Sequence, residues 1–240
     1  MIQSPQPDDV QKIFTEIAGG YDSANDAITF GLARAWRRKV VQWSGARSGD
    51  SVLDCATGTG DLAIEFKKAV GPDGRVVGTD FCEAMLEKAP LKARAQKLSI
   101  DFSWADAMDL KFGNREFDIA SIAYGIRNVG NAEKAIREMA RVVKPGGYVM
   151  ILETGDAQFP VIQWAFDLHF KWFVPMVGGL ITGKKSAYQY LSKSSKRFPS
   201  REKFVEILKS TGCFGTIEYR SLMGGASFIY KAQVKKDLQS

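Results

Sequence analysis

From Ser51 to Glu153, short apolar runs alternate with stretches of helical periodicity, and few folds accommodate that alternation. Ser51–Ala56, Arg75–Asp80, Ser99–Trp104, Phe117–Tyr124 and Tyr148–Glu153 read as strands. Between them Asp61–Ala69, Glu83–Lys97 and Asn131–Val143 read as helices, with a break or kink expected at Pro90. In the last of these, Ala132, Ala135, Ile136, Met139, Ala140 and Val143 share one face, opposite Glu133, Lys134, Arg137, Glu138 and Arg141. Lys144-Pro-Gly-Gly147 should stop it. Near the end, Arg201–Ser210 reads as a helix. Gly215–Leu222 and Ala226–Val234, around Met223-Gly224-Gly225, read as an antiparallel hairpin. The expectation is an α/β fold: a mostly parallel seven-stranded sheet with helices on both faces and the hairpin at its end.

The first strand runs into Asp54-Cys-Ala-Thr-Gly58-Thr-Gly60-Asp61. Glycines let such a loop turn tightly and let a ligand approach the main chain. In open α/β sheets, ligands bind beyond the carboxyl ends of the strands, which is where this loop falls. Two cofactors compete for it. Gly58-x-Gly60-x-x-Ala63, with Asp80 twenty residues beyond Gly60, satisfies the dinucleotide fingerprint. Asp54 and Asp61 oppose that reading, because two carboxylates should repel a pyrophosphate. S-adenosylmethionine has no phosphate and carries an ammonium and a sulfonium, which favour nearby acids. Asp80 can hold ribose hydroxyls in either case. Asp106, after the third strand, is placed to meet an adenine amino group. The candidate cofactor residues are Asp54, Gly58, Thr59, Gly60, Asp80, Asp106, Ala107 and Ala123.

Two segments stand outside the alternation. Residues 1–47 are helical by pattern. Residues 155–198 are rich in aromatics: Phe159, Trp164, Phe166, Phe170, Trp172, Phe173, Tyr188 and Tyr190. The apolar stretch Met176–Ile181, with Pro175, Gly178 and Gly179 about it, is too short and broken to span a bilayer. It suits a lid, a cap or an interfacial patch. The 240 residues thus read as one domain: a helical cap (1–47), a cofactor core (48–154), an aromatic and basic lid or membrane-facing insertion (155–198), and a C-terminal helix and hairpin (199–240).

The net charge of +6 is unevenly spread. Lys184, Lys185, Lys193, Lys196, Arg197, Arg201 and Lys203 face Glu202 alone, and Arg34, Arg37, Arg38, Lys39 and Arg47 form a second basic cluster. A solvated face or an anionic membrane surface accounts for this. No nucleic-acid motif accompanies it, so nucleic acid is not expected. Cys55, Cys82 and Cys213 lie far apart with no C-x-x-C, so neither a disulfide framework nor a cysteine metal site is expected. The opening residues lack the apolar core of a secretory signal. A cytoplasmic protein follows, placed peripherally at the inner membrane face if the basic segment docks there. A homodimer is compatible with all of this.

The order of motifs resembles the UbiE/MenG/Coq5 family of quinone-biosynthesis C-methyltransferases, over about Ile13 to Tyr230. Tyr21-Asp22-x-x-Asn25-Asp26…Gly31…Arg34-x-Trp36, Leu53–Leu62, Gly125-Ile-Arg-Asn-Val129 and Arg141-Val-Val-Lys-Pro-Gly-Gly147…Leu152-Glu153 carry the likeness. Tyr190-Leu191-x-x-Ser194…Phe198-Pro199 adds to it. The chain departs from the family pattern at Ala24, Thr29, Ala33, Ala123 and Thr154-Gly155. The resemblance implies a Rossmann-like class I methyltransferase with S-adenosyl-L-methionine as cofactor. It implies methylation of a ring carbon of a polyprenylated hydroquinone, demethylmenaquinol being favoured. Arg127 and Asn128, after the fourth strand, would then meet the developing phenolate, with Tyr21 closing over the substrate. His169 reads as a packing or interfacial residue and Cys55 as an apolar filler. A methyltransferase of another small or lipid-like acceptor, an NAD-dependent oxidoreductase and a non-catalytic subunit remain open.

Overall fold

In the computed structural model, residues 6–156 and 160–236 are described; Phe159 of the aromatic segment lies outside them. Three helices come first: α1 (Pro7–Ile17), α2 (Tyr21–Ile28) and α3 (Leu32–Ser44). The alternation follows as β1 (Ser51–Cys55), α4 (Asp61–Val70) and β2 (Arg75–Asp80). The helix expected over Glu83–Lys97 is two pieces, α5 (Glu83–Leu86) and α6 (Ala89–Ala95). Pro90 stands in the first turn of α6, where its missing N–H breaks no bond. Then come β3 (Asp101–Trp104), β4 (Phe117–Ala123), a 3₁₀ turn at Ile126–Asn128, and α7 (Ala132–Val142). Asn131 caps α7 by accepting from the Lys134 N–H at 2.9 Å.

β5 spans Val143–Thr154 and is longer than expected, because Val143 already pairs with Phe117, ahead of an irregularity at Lys-Pro-Gly-Gly where Gly146 turns at φ 83°. The insertion is helical: α8 (Pro160–Leu168), a π-helical turn (His169–Phe173), α9 (Val174–Thr182) and α10 (Lys185–Arg197). The chain closes with α11 (Glu202–Ser210), β6 (Phe214–Leu222) and β7 (Ser227–Val234).

The seven strands form one sheet in the order β3-β2-β1-β4-β5-β7-β6. β1 to β5 pair in parallel, while β7 runs antiparallel to both β5 and β6. Period-two alternation sends neighbouring side chains to opposite faces. Leu53, Ala120 and Ile151 join Ile136 and Met139 of α7 and Phe204 of α11 in one core. Val52, Ile119 and Met150 join Trp36 and Val40 of α3 and Phe66 of α4 in the other.

The cap and the insertion, far apart in sequence, pack on each other. Ile17, Ala24 and Ile28 share a buried cluster with Val174, Ala187 and Tyr188. Gly178 makes this possible, since a Cβ there would lie 2.3 Å from the Tyr188 ring. The aromatics expected to suit an interface divide for the same reason. Trp164 and Trp172 are 67% and 64% exposed, whereas Tyr188 is fully buried and Tyr190 half-buried. Among the described residues no helix is long and apolar enough to cross a membrane.

Candidate active site

The chain leaves β1 towards β2 on one side and continues from β4 to β5 on the other, so the carboxyl ends of β1 and β4 frame a switch point. A cavity opens there, lined by Gly58, Asp80, Asp106, Ala107 and Ala123 among others. The Asp80 carboxylate is fixed from two sides. Oδ2 accepts from the Gly58 N–H and Oδ1 from the Cys82 N–H, each at 2.7 Å. Burial pushes its pKa up, against backbone donation from Cys82, Gly58 and Phe81. Asp106 Oδ1 accepts from the Met108 N–H at 2.8 Å. Carboxylates so anchored at strand ends retain lone pairs for a ligand's hydroxyl and amino groups.

Asp54, Thr59 and Gly60 are not part of that lining; they shape the loop from beneath. Asp54 is buried, its Oδ2 accepting from Thr57 Oγ1 at 2.6 Å and its Oδ1 from Ser121 Oγ at 2.7 Å. Burial pushes its pKa up to about 6 despite those bonds. Gly60 turns the chain at φ 87°, and a Cβ there would press on Ala89. Thr59 Oγ1 donates to Asp22 Oδ1 at 2.6 Å and accepts from Lys92 Nζ at 2.9 Å. Cys55 is buried with its thiol pKa raised by burial, as a filler should be.

Asp54 and Asp61, expected to repel a pyrophosphate beside the loop, are both held by other groups. Asp54 is covered. Asp61 pairs with Arg37 at 3.1 Å and with Lys92. Burial raises the Asp61 pKa, but Arg37 and Lys92 outweigh it and the net shift is downward. Lys92 also pairs with Asp22 of α2 at 2.7 Å. The N-terminus of α4, where a pyrophosphate would sit, is therefore closed by Asp22, Thr59 and Lys92 rather than guarded by bare acids. The basic cluster of α3 is broken up in the same way: Arg34 pairs with Asp26 and Arg37 is buried against Asp61.

A second cavity of about 320 Å³ lies between the cap, the insertion and the sheet edge. Tyr21 and Tyr124 line both cavities, so the two meet at these rings. Burial raises the pKa of each hydroxyl. Arg127 lines the second cavity with its side chain 8% exposed, and its Nη1 pairs with Oε1 of the fully buried Glu153. Glu153 Oε1 also accepts from the Thr154 N–H at 2.7 Å. Arg127 Nε and Glu153 Oε2 have no hydrogen-bond partner among the described residues.

Tyr21 and Arg127 thus share the second cavity, whereas Asn128 meets Tyr21 only in the first. It lines the first cavity, its amide donating to the Tyr124 carbonyl at 3.4 Å and accepting from the Tyr190 hydroxyl at 3.2 Å. The 3₁₀ turn rotates successive side chains apart, which spacing along the sequence could not reveal. His169 lines the second cavity and stacks on Phe173 with centroids 5.0 Å apart; burial lowers its pKa. Glu153, Arg37 and Lys92 were not expected in the site. Glu153 is the penultimate residue of β5, near a strand end as Asp80 is, and that position was its signal. Lys92 gave none, because its partners are 31 and 70 residues away.

A model of the ubiE/COQ5 methyltransferase family matches residues 2–234. The ubiquinone/menaquinone biosynthesis C-methyltransferase UbiE of Bdellovibrio bacteriovorus is 49% identical over 232 residues, covering 97% of this chain and 98% of that protein. The demethylmenaquinone methyltransferase of Staphylococcus aureus is 37% identical over 228 residues, covering 95% and 94%. Among solved structures, a SAM-dependent methyltransferase of Thermotoga maritima, described as a possible histamine N-methyltransferase, has a TM-score of 0.66 at 17% identity, covering 95% of this chain and all of that one. The [4+2]-cyclase SpnF has a TM-score of 0.65 at 16% identity, covering 98% and 99%. These likenesses establish the class I methyltransferase fold, and their diversity shows that the fold alone does not fix the reaction.

Proposed function

This chain belongs to the ubiE/COQ5 methyltransferase family, and from that premise we propose how its two cavities divide the labour of C-methylation. The protein is an S-adenosyl-L-methionine-dependent methyltransferase of quinone biosynthesis. A polyprenyl hydroquinone is the acceptor, and demethylmenaquinol is the favoured member of that class. When bound, the cofactor supplies a methyl group on a cationic sulfur.

Asp80 would hold two ribose hydroxyls of the bound cofactor, Asp106 its amino group, and Gly58 with Ala107 and Ala123 would let it lie close to the chain. The acceptor ring occupies the second cavity at its Tyr21 and Tyr124 end. There the acceptor's ring carbon, made nucleophilic by loss of a hydroxyl proton to water as the acceptor enters, would take the methyl group that the bound cofactor supplies, and release of that carbon's own proton to water would restore the ring. Arg127 lies where its charge stabilises the phenolate oxygen in a site shielded from water. Glu153 holds Arg127 in place. Tyr21 and Tyr124 bring the two ligands into line, and orientation of this kind supplies much of the acceleration. Asn128 acts on the cofactor side and braces the Tyr124 backbone.

The observation that carries this reading is the sharing of Tyr21 and Tyr124 by the two cavities. Transfer of a labelled methyl group from S-adenosylmethionine to demethylmenaquinol, with the product identified by mass spectrometry, tests it. Absence of transfer to any demethylated quinol would overturn it.

The acceptor also bears on where the enzyme works. Trp164, Leu168, Trp172, Met176 and Leu180 are exposed at intervals of four along α8, the π turn and α9. Exposed Lys171, Lys185 and Lys193 lie in or near the same helices. Apolar and aromatic groups beside lysines suit an anionic bilayer surface, each lysine contributing about 1 kcal/mol near it. The insertion therefore serves as both lid and docking face. Co-sedimentation with anionic vesicles at low salt should retain the wild type but not a variant with Lys171, Lys185 and Lys193 changed to Glu.

A further inference from the structure

The second cavity has an inner end at Tyr21 and Tyr124 and a mouth at Phe30 and Met223, which line it while remaining 72% and 57% exposed. Both mouth residues are large, apolar and held in left-handed backbone, at φ 50° and 47°. Left-handed φ disfavours any residue with a Cβ, and asparagine or glycine normally serves such turns. Each also precedes a glycine with positive φ, Gly31 and Gly224. Two turns from opposite ends of the chain thus each bear a strained, water-facing apolar side chain at one opening. Strain of this kind persists only where the surrounding structure holds it, and it clusters at ligand sites.

The mouth continues inward as a ladder of rings. Phe30 stacks on Phe173 with centroids 5.5 Å apart, Phe173 on His169 at 5.0 Å, and His169 meets Phe170 edge-on at 5.6 Å. His169 and Phe170 line the cavity themselves. The cavity's charged lining residues are Arg37 and Arg127, and no carboxylate lines it among the described residues.

We propose that Phe30 and Met223, with the Phe173–His169–Phe170 ladder, form a binding site for the first isoprene units of the acceptor's tail. This rests on the quinol reading of the inner cavity. With the ring held at Tyr21, Tyr124 and Arg127, an apolar chain too long for the cavity has to leave through this mouth. Flat, polarisable rings along the way match the unsaturated, methyl-bearing chain. Phe30 and Met223 then select acceptors by their tail and leave the chemistry to the inner end.

Phe30→Asn and Met223→Asn test this, because asparagine accepts left-handed backbone while removing the apolar surface. With a demethylated hydroquinone carrying several isoprene units, the double variant should show a KM raised roughly tenfold or more, from the loss of buried methylene contacts. KM for the same hydroquinone without a tail, and affinity for S-adenosylmethionine, should not change. Thermal stability should hold or rise, since strain is relieved. A farnesol bearing a photo-crosslinking diazirine should label peptides containing Phe30 or Met223 in the wild type and lose that labelling in the double variant. Equal KM changes for tailed and tail-less acceptors, or crosslinks confined to the Trp164–Trp172 face, would overturn the proposal. Labelling at the mouth without methylation of any quinol would support the tail site and refute the quinol reading alone.

Discussion

Arg127 and Glu153 form an ion pair at the wall of the second cavity, with side chains 8% and 0% exposed. A pair this far from water is held by its geometry, and removing one partner strands the other's charge. Such a loss costs about 3–5 kcal/mol. Glu153→Gln and Arg127→Ala should both lower stability by an amount of this order. Replacing both at once, with Arg127→Met and Glu153→Leu, should restore most of the stability and none of the turnover. Arg127→Ala should also lower kcat far more than cofactor affinity. Urea unfolding beside steady-state kinetics separates the effects, and recovery of turnover in the double variant would show the pair to be only structural.

Asp80 gives the sharpest test of whether the first cavity holds the cofactor. Asp80→Ala should weaken S-adenosylmethionine binding by roughly ten- to a hundredfold, since ribose hydroxyls lose a charged acceptor. Because Asp80 also holds the Gly58 and Cys82 N–H groups, Asp80→Asn is the milder companion and should weaken binding less. Calorimetry gives both affinities. Unchanged affinity in Asp80→Ala would remove Asp80 from the site.

The sheet was legible because alternation and turns are local signals. All seven strands overlap the apolar runs read from the sequence, and the largest boundary shift is at β5, which begins at Val143 rather than Tyr148. Gly58, Asp80, Asp106, Ala107 and Ala123 could be assigned to the first cavity because strand ends converge at the switch point. Asp54 and Thr59 resisted, since what turns them under the loop is hydrogen bonding to Ser121 and Asp22, distant in sequence. Of the second cavity only Tyr21 and Arg127 were anticipated. Its walls come from the cap and the insertion, and nothing in either segment alone shows that Ile28 packs with Tyr188.

Lys92 ties the cap to the cofactor loop. It reaches Asp22 of α2, Thr59 of the loop and Asp61 of α4 while 27% exposed. A partly screened cluster of this kind contributes about 1 kcal/mol to global stability. Its larger effect should be local, because α2 carries Tyr21 over both cavities. Lys92→Met should speed release of S-adenosylhomocysteine several-fold while shifting the melting temperature by only a few degrees. Raising the salt concentration should move the wild type towards the variant. Stopped-flow displacement provides the measurement, and identical release rates would mean that the cap is not held by this contact.

Asp54 makes stability depend on pH in an unusual direction for a carboxylate. Its ordinary pKa of 3.8 is pushed up to about 6 in the folded chain, chiefly by burial, although Thr57 and Ser121 donate to it. The folded state therefore binds this proton more tightly than the unfolded state does, and protonation favours folding. The contribution is fully present below about pH 3.8 and is lost as pH rises through about 6. A shift of about two units corresponds to roughly 3 kcal/mol. Other carboxylates, such as Asp61 with its lowered pKa, pull the opposite way, so the whole-protein profile will not isolate the effect. The difference between wild type and Asp54→Asn will. Asparagine keeps the shape and can bond to both hydroxyls, but it does not titrate. On going from pH 7.5 to pH 4.5, the wild type should gain about 1–3 kcal/mol relative to Asp54→Asn in urea unfolding. A flat difference would mean that Asp54 carries its charge in the core at no cost, and that the loop beneath the cofactor cavity is wetter than its packing implies.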